Sequence, residues 1–373
     1  MSWLRIRELV RKEFIQLFRD RKNRPLLIIA PLVQLIVFGY VVTTDVRDIR
    51  VGLFDQSRTP ESRRLIDAID GNKTFRITHT VDHAAELDGL LLKRRVDLGI
   101  SIPPDFSSKI RRRDTADIQI LVDGSMSNMA AVRISYTVAL LERFNSQQLK
   151  ELYRRRIDYG EIDGRIRTWY NPNLDSQYFY VPGIVAFLVM LLSLLFTSMA
   201  IVREKEAGTM EQLIVTPLRP LELILGKTIS FIIIAQGQMI LVIAFAIFWF
   251  KIPMVGNALL LLAAACIFLL STLGIGLFIS TISQTQQQAM MTNFFFILPF
   301  FMLSGFVFPI ANMPTIIQWL TYLNPLQYFL VIIRGIFLKG TGFAILWPQF
   351  IGLMLLGVIV FSGALNRFRK RLD

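Results

Sequence analysis

Three glutamates in one short polar segment have the spacing that is most informative about function. Glu204, Glu206 and Glu211 alternate with apolar residues in IVREKEAGTMEQLIVTPLRPLELILGK, residues 201–227. A segment of this length is too short to fold alone, since chains below about 40 residues need outside support. We therefore expect it to dock on a protein partner.

The same segment contains residues that bend a chain. Gly208 permits close backbone approach, and Pro217 and Pro220 fix the bend. The pattern predicts a helix that descends from one apolar span, a turn, and a second short helix that leads into the next span. An ordinary charged loop is the alternative, and it gives no reason for the combined spacing of acids, glycine and prolines.

Gly226, Lys227 and Thr228 raise the question of nucleotide binding. A phosphate-binding loop needs a further glycine five residues before the Gly-Lys pair, so that backbone amides surround the phosphate. Position 221 is leucine, and no strand is predicted before it. We therefore expect no ATP binding by this chain.

His79, Asp82 and His83 have the spacing of metal ligands. They flank a predicted strand-to-helix turn in a hydrophilic segment, where we expect solvated side chains and a helix cap at Asp82. The single cysteine, Cys266, lies in an apolar run and offers neither a disulfide within the chain nor a thiolate metal site. Without a nucleophile set such as Ser-His-Asp, we expect no catalytic, metal or cofactor site.

The composition indicates a membrane protein. Of the 373 residues, 53% are hydrophobic and 29 are phenylalanine, and the mean hydropathy is +0.49. The formal net charge is +13, but the excess lies beside apolar runs, with eight Lys and Arg against three acids in the first 24 residues. Charge placed in this way follows the positive-inside rule, so we expect no nucleic-acid partner.

Six apolar runs are long enough to cross a hydrocarbon core of about 30 Å as helices. The first, 25–42, follows a basic segment that is too long for a cleavable signal peptide. The others lie at 179–201, 229–250, 258–280, 294–310 and 344–365. These runs contain few ionisable residues, so no proton or ion relay is predicted.

Residues 1–24 predict an amphipathic helix before the first span. Its apolar face is formed by Trp3, Ile6, Val10, Phe14 and Leu17, and basic or polar side chains lie opposite, although Arg7 and Glu13 interrupt the pattern. Such a helix can lie in the headgroup layer of the cytoplasmic leaflet. A cytoplasmic helix packed on protein is the alternative.

Residues 43–176 form a hydrophilic block of domain size. Four strands are predicted in it, at 49–55, 75–80, 96–102 and 118–124. A helix follows each strand, at 60–69, 84–93, 103–112 and 126–155. This alternation predicts a small α/β domain.

The apolar stretch before the last span, 311–341, is interrupted by Pro314, Asn324, Pro325 and Gly335. Broken apolar segments at membrane depth re-enter the membrane or lie along its surface. The segment therefore predicts an extracytoplasmic re-entrant hairpin. Two additional full spans are the alternative.

An even number of spans places both termini on one side of the membrane. The short segments on that side carry 16 Lys and Arg, and those on the other side carry three. By the positive-inside rule the termini are cytoplasmic and residues 43–176 are extracytoplasmic. An exported domain without cysteines fits the bacterial inner membrane.

Residues 203–227 resemble a motif of a known family. REKEAGTMEQLIVTP followed by LELILGK is similar to the signature of type-2 ATP-binding-cassette (ABC) exporter permeases. In that family the region is a coupling helix that docks into a separate ATPase subunit. The resemblance assigns this ATPase-coupling role to Glu204, Glu206, Gly208, Thr209, Glu211, Leu213, Pro217, Gly226 and Lys227.

The resemblance covers nearly the whole chain. The N-terminal helix is similar to the family's interfacial connecting helix, and the block 43–176 matches the long-loop bacterial branch of drug and lipid exporters. FVFPIANMPTIIQWLTYLNPLQYFLVIIRG is similar to the family's extracytoplasmic re-entrant pair. The matching positions are Pro309, Pro314, Asn324, Pro325 and Tyr328.

The predicted fold is an α-helical polytopic membrane protein with six transmembrane helices. An amphipathic interfacial helix precedes the first, a small α/β domain separates the first and second, and residues 179–373 hold helices two to six with the re-entrant hairpin. The resemblance implies a permease that moves hydrophobic or amphipathic cargo outward. Few polar residues and many Phe and Met in the spans suit such cargo.

Several partners are implied by the resemblance. An ABC ATPase subunit binds the ATP, a second permease copy or a similar permease completes the path, and membrane lipids surround both. A periplasmic adaptor protein is a further partner that the sequence leaves open. The alternative function is a receptor or scaffold that senses a ligand through its outer domain, but the longest cytoplasmic segment, of about 27 residues, is too short for an output domain.

Overall fold

The protein is described here by a computed structural model that covers residues 3–19, 23–41, 48–112, 114–125, 127–153, 169–171, 175–208 and 220–369. The chain divides into two compact units. One comprises Thr44–Ile166, and the other comprises Met1–Thr43 with Arg167–Asp373.

The described elements follow one another along the chain in the order helix, helix, an alternation of strands and helices, and then helices alone. They are α1 (Trp3–Arg19), α2 (Asn23–Val41), β1 (Ile49–Asp55), α3 (Pro60–Asp70), β2 (Phe75–Thr80), α4 (Ala84–Leu92), β3 (Leu98–Ile102), α5 (Phe106–Arg112), β4 (Gln119–Val122), α6 (Ser127–Tyr153), α7 (Ser176–Glu206), α8 (Pro220–Phe250), α9 (Ala258–Ile282), α10 (Gln286–Met302), α11 (Thr315–Thr321), α12 (Pro325–Arg334) and α13 (Phe343–Arg369).

The smaller unit contains a four-stranded sheet in the order β2-β1-β3-β4. β1 pairs in parallel with β2 and with β3, while β4 is antiparallel to β3. Parallel neighbours need a crossover connection, and α3 and α4 provide it. The strands and helices predicted within 49–155 agree with the observed bounds to within three residues.

The core of this unit lies between the sheet and its helices. Ile49, Val51 and Ile100 of the strands are fully buried against Leu65 and Ile69 of α3. Burial of each such side chain stabilises the fold by about 1.5–3 kcal/mol. The central strands are short and apolar because both of their faces are buried, so neither face needs polar side chains.

The start of α4 differs from the prediction. His83 occupies the N-cap position without a side-chain cap, and Asp82 pairs with Arg58 instead of capping the helix. The helix begins one residue later than a cap at Asp82 requires, which leaves that carboxylate free to meet a guanidinium. By contrast, α3 starts with a capping box between Thr59 and Ser62.

The larger unit is helical. Within the described residues, four helices are long and apolar enough to cross a membrane, namely α7, α8, α9 and α13. α11 and α12, the latter extended by a π-helical turn to Lys339, form a pair that is bent by 79°. This is a polytopic architecture, and by length and composition it gives four spans, or five with the bent pair, where the sequence predicts six.

Two predicted span boundaries are wrong. The range 294–310 is not one helix, because α10 begins at Gln286 after a cap by Thr285 and ends at Met302, ahead of Gly305 with its φ of 80°. The separate short helix predicted before 229–250 does not exist in the described residues. α8 runs unbroken from Pro220, since proline is tolerated in the first helical turn.

The helices of the larger unit pack through small residues and internal polar pairs. A Cβ added to Gly274 of α9 would lie 3.0 Å from the backbone of Phe361 in α13. Ser193 of α7 donates a hydrogen bond to Thr272 of α9 at 3.0 Å. Close backbone approach and hydrogen bonds between helices are the usual means of helix association in membranes.

Candidate functional site

α1 packs on the first turns of α8 through a narrow face. Ile6 and Leu9 are buried, and a Cβ added to Gly226 would lie 2.8 Å from Leu9 Cβ. Trp3 is 73% exposed. The buried face therefore runs through Ile6, Leu9 and Glu13. Of the predicted apolar face, Ile6 is buried, Val10 and Phe14 are half-buried and Trp3 is exposed.

Glu13 meets a lysine that belongs to another helix. Lys227 Nζ of α8 donates to Glu13 Oε1 at 2.8 Å and to Glu204 Oε1 of α7 at 2.9 Å. These three side chains are at most 6% exposed, and Lys12 Nζ approaches Glu204 Oε1 from the surface at 3.4 Å. We call Glu13, Glu204, Lys227 and Lys12 the Lys227 cluster. One buried ammonium group thus joins three helices.

The charges of the Lys227 cluster balance, with two carboxylates and two ammonium groups. Burial of an ion costs several kcal/mol, and only close partners offset that cost. Removal of one member of a buried pair costs about 3–5 kcal/mol, because it leaves an uncompensated charge. The cluster therefore fixes the relative positions of α1, α7 and α8 even where its net contribution to stability is small.

A second ion pair lies near the first on the same two helices. Arg5 NH1 of α1 is 3.6 Å from Glu222 Oε2 of α8, and the Glu222 side chain is 1% exposed. Arg5 and Glu222 precede Glu13 and Lys227 by two and one helical turns, respectively. Two attachments of α1 to α8 restrict both its rotation and its sliding.

The last turn of α7 is also joined to α9 and α10. The backbone N–H of Gln286 donates to Glu206 Oε1 at 2.8 Å, and its side-chain amide donates to Oε2. Lys205 Nζ donates to the carbonyl oxygen of Ser280 in α9. α7 ends at Glu206, and Gly208 follows with a φ of 67°, a conformation that favours glycine.

The structure brings together five of the nine residues predicted for ATPase coupling. Glu204 and Lys227 belong to the Lys227 cluster, and Glu206 accepts hydrogen bonds from the first residue of α10. Gly208 follows the end of α7, and Gly226 packs against α1. The other four, Thr209, Glu211, Leu213 and Pro217, lie outside the described residues.

Sequence reasoning did not assign to this site several residues that the structure places there, namely Arg5, Lys12, Glu13, Lys205, Glu222 and Gln286. Glu13 did give a signal, because it interrupts the apolar face of α1 while Lys227 stands at the start of an apolar run. A lone acid and a lone base in such positions indicate a buried pair. Gln286 gave no signal, since its partner depends on how two helix ends meet.

The broken segment between α10 and α13 places its prolines at turns. Pro309 precedes a 3₁₀ turn, Pro314 precedes α11, and Pro325 is the first residue of α12. At each of these positions a proline costs no helical hydrogen bond.

Asn324 and Tyr328 hold the bend of this segment. Asn324, 2% exposed, accepts from the N–H of Leu326 at 3.0 Å and donates to the carbonyl of Phe300 in α10 at 2.7 Å. Tyr328 donates its hydroxyl to the carbonyl of Tyr322 at 3.0 Å. The bend is thus fixed within the segment and against α10.

Arg334, at the end of α12, lies among aromatic rings. Its guanidinium carbon is 3.7 Å from the centroid of the Phe179 ring, and it donates to the carbonyls of Phe179 and Gly305 at 3.3 Å and 3.4 Å. Within the described part of the chain, no carboxylate pairs with it. Two backbone carbonyls and a ring face thus stabilise this cation and join the start of α7 to the broken segment.

Several long apolar helices, a broken apolar segment, and helix ends joined by buried charges define a polytopic membrane protein. The sequence matches the family described as ABC-2 family transporter protein over residues 25–365. The chain belongs to this family.

Three relatives from Escherichia coli (strain K12) are similar over nearly the whole chain. The probable multidrug ABC transporter permease YbhS is 32% identical over 100% of this chain and 99% of its own length, and YbhR, of the same description, is 31% identical over 98% and 99%. The inner membrane transport permease YhhJ is 27% identical over 96% and 95%. The chain is a permease subunit of an ABC exporter, and the receptor alternative is not favoured.

Proposed function

We propose that residues 203–227 dock into a separate ABC ATPase, and that the Lys227 cluster passes the movement of that ATPase to three helices at once. The partner subunit binds and hydrolyses the ATP, and this chain holds no cofactor of its own. Closure of the ATPase pair would displace the segment and shift the permease between two conformations.

The position of the Lys227 cluster is the observation that carries this proposal. Glu204 precedes residues 209–219 and Lys227 follows them, so one ammonium group holds both helices that flank the docking segment. Glu13 adds α1 to the same attachment. A force applied between Glu204 and Lys227 would therefore move α1, α7 and α8 together.

The proposed topology has six transmembrane helices, which are α2, α7, α8, α9, α10 and α13. α1 lies at the cytoplasmic surface of the bacterial inner membrane, both termini are cytoplasmic, and residues 43–176 form the extracytoplasmic α/β domain. The excess of Lys and Arg over acids within residues 1–24 and 366–373 supports this orientation. The 79° bend between α11 and α12 supports a re-entrant hairpin in preference to two more spans.

The proposed cargo is hydrophobic or amphipathic and resembles a drug or a lipid. Two of the relatives carry the word multidrug in their descriptions. A second copy of the chain, or a similar permease, would form the other wall of the path, and a periplasmic adaptor could meet the α/β domain. No nucleic-acid partner is proposed.

The test combines ATPase binding with transport. The permease is purified in mild detergent with its ATPase, and ATP-driven movement of a hydrophobic dye is measured in inverted membrane vesicles. We expect Glu206→Lys and Glu211→Lys to reduce transport at least tenfold while membrane insertion is unchanged. Lys251→Met, at the opposite end of α8, is the matched control and should behave as the native chain. Native transport by both glutamate variants would contradict the coupling role.

A further inference from the structure

An inner pocket of about 280 Å³ is lined by residues of α1, α7, α8 and α10. Apart from Arg203, the side that α7 contributes is apolar. It is formed by Leu192, Leu195, Phe196, Met199 and Ala200. Small-molecule sites occupy roughly 300–1,000 Å³, so this pocket is at the small end of that range and suits one hydrophobic tail.

A basic vestibule of about 770 Å³ shares two lining residues with the inner pocket. Arg11, Lys12 and Arg19 of α1 line it, with Glu8 as the one acid of the described lining. Glu8 is engaged by Arg11 at 3.8 Å. The vestibule therefore has an excess of positive charge.

Arg203 lines both cavities, as does Gln16, and so stands at the junction between them. The ion pairs described at this face engage Glu8, Glu13 and Glu204 with other cations, and none of them includes Arg203. A guanidinium in this position presents several donors in a planar array that matches a phosphate or carboxylate group.

We propose that the inner pocket and the basic vestibule together bind an amphipathic anion. Its phosphate, sulfate or carboxylate head would pair with Arg203, and its single alkyl or aryl tail would lie along Leu192, Phe196 and Met199. The role of this site as a place of cargo entry rests on the proposed function. The same chemistry belongs to an anionic membrane lipid and to a free anionic amphiphile.

The test measures binding of dodecyl phosphate to the full chain in nanodiscs of phosphatidylcholine. Dodecylphosphocholine, with the same tail and a zwitterionic head, is the ligand control. We expect Arg203→Gln to weaken dodecyl phosphate binding at least tenfold and Arg203→Lys to weaken it less than threefold. Arg367→Gln removes a cation from the far side of the bundle, beside Phe278, and should change binding less than twofold.

A second variant tests the tail. Ala200→Phe fills the inner pocket and should weaken binding of both ligands, whereas Arg203→Gln affects the anionic ligand alone. Equal binding by the Arg203→Gln and Arg367→Gln variants, or equal affinity of the native chain for the two ligands, would overturn the proposal.

Two further measurements separate the remaining alternatives. If phosphatidylglycerol added to the nanodiscs competes with dodecyl phosphate, the site binds a lipid headgroup. If phosphatidylglycerol does not compete, the site binds a free amphiphile. Both results uphold an anion site. Co-purification of the ATPase is measured in the same preparations. If the ATPase does not co-purify but binding still depends on Arg203, the proposed function is contradicted and the anion site is retained.

Discussion

The two units of the chain each contain an ion cluster, and the central groups of the two clusters have opposite charges. In the α/β unit, the Asp97 carboxylate accepts from Arg50 Nε and from Arg133 NH2, each at 2.8 Å. In the helical unit, Lys227 lies between Glu13 and Glu204 at similar distances. One anion between two cations thus contrasts with one cation between two anions.

Exposure separates the two clusters. The central Asp97 side chain is 15% exposed and its partner Arg50 is 43% exposed, so water screens the Asp97 cluster, whereas the central Lys227 side chain is 3% exposed. A screened cluster tolerates the loss of one partner, because water solvates the remaining charge. A buried cluster does not, and it acts as a rigid joint between the elements that it connects.

The largest expected effect is that of Lys227→Met. It leaves Glu13 and Glu204 buried beside each other, with only the half-exposed Lys12 to offset two carboxylates, which should cost about 3–5 kcal/mol. The measurement is the thermal unfolding midpoint of the detergent-solubilised chain.

The control for this variant restores charge balance. Glu13→Gln added to Lys227→Met should recover most of the lost stability, because the remaining carboxylate of Glu204 and the ammonium group of Lys12 then balance. A native unfolding midpoint for Lys227→Met alone would show that the cluster is not the joint described above.

Asp97→Asn in the α/β unit should have a smaller effect. The amide keeps one acceptor but loses the charge-assisted hydrogen bonds, each of which contributes about 1.5–3 kcal/mol when intact, and partial exposure reduces this cost. We expect a loss of about 1–2 kcal/mol, measured as the urea midpoint of the α/β unit in the full chain. A loss as large as that of Lys227→Met would contradict the difference between the clusters.

The pH dependence of the α/β unit sharpens the same contrast. Burial by itself raises the pKa of Asp97, but the hydrogen bonds from Arg50 and the charge of Arg133 outweigh it and hold the pKa below its usual range. A lowered carboxyl pKa contributes stability that is complete above the unfolded value of about 3.9 and is lost as the pH falls through the folded value.

The urea midpoint of the α/β unit should therefore be constant from pH 7 to about pH 5 and decline below about pH 4. The Asp97→Asn variant, measured in parallel, should show a shallower decline. Identical declines for the two chains would assign the effect to other carboxylates.

Asp82→Asn should have the smallest effect. Arg58 and Asp82 are both more than 70% exposed, and exposed ion pairs contribute between about 0 and 1 kcal/mol. We expect no measurable change in the urea midpoint. A loss equal to that of Asp97→Asn would mean that exposure does not determine the strength of these pairs.

The sequence predicts the α/β elements well because their signals are local. The residues from Ile49 to Asp55 alternate in the manner of a strand, and the helix that begins at Pro60 has its cap immediately before it. The local sequence pattern is therefore sufficient to predict both elements. The span at 294–310 is mispredicted for the same reason. Its apolar composition continues past Met302, while the backbone turns at Gly305 because of a conformation that composition does not reveal.

The candidate site is only partly predictable. Glu204, Glu206, Gly208, Gly226 and Lys227 follow from a resemblance to a family motif, because they lie near one another in the chain. Glu13 does not, since it pairs with a lysine 214 residues away. The interruption that Glu13 makes in the apolar face of α1 indicates a buried acid, but the identity of the base that it meets depends on the packing of three helices.

The sequence distance between Glu13 and Lys227 also affects how the chain is assembled. At a synthesis rate of roughly 5–20 residues per second, about 10–40 s separate the two residues on the ribosome. During that interval Glu13 has no buried lysine to meet, and Ile6 and Leu9 have no surface to cover. The N-terminal helix therefore docks only after α8 is in place, and a chain truncated before Lys227 would display an uncovered apolar face to chaperones and proteases.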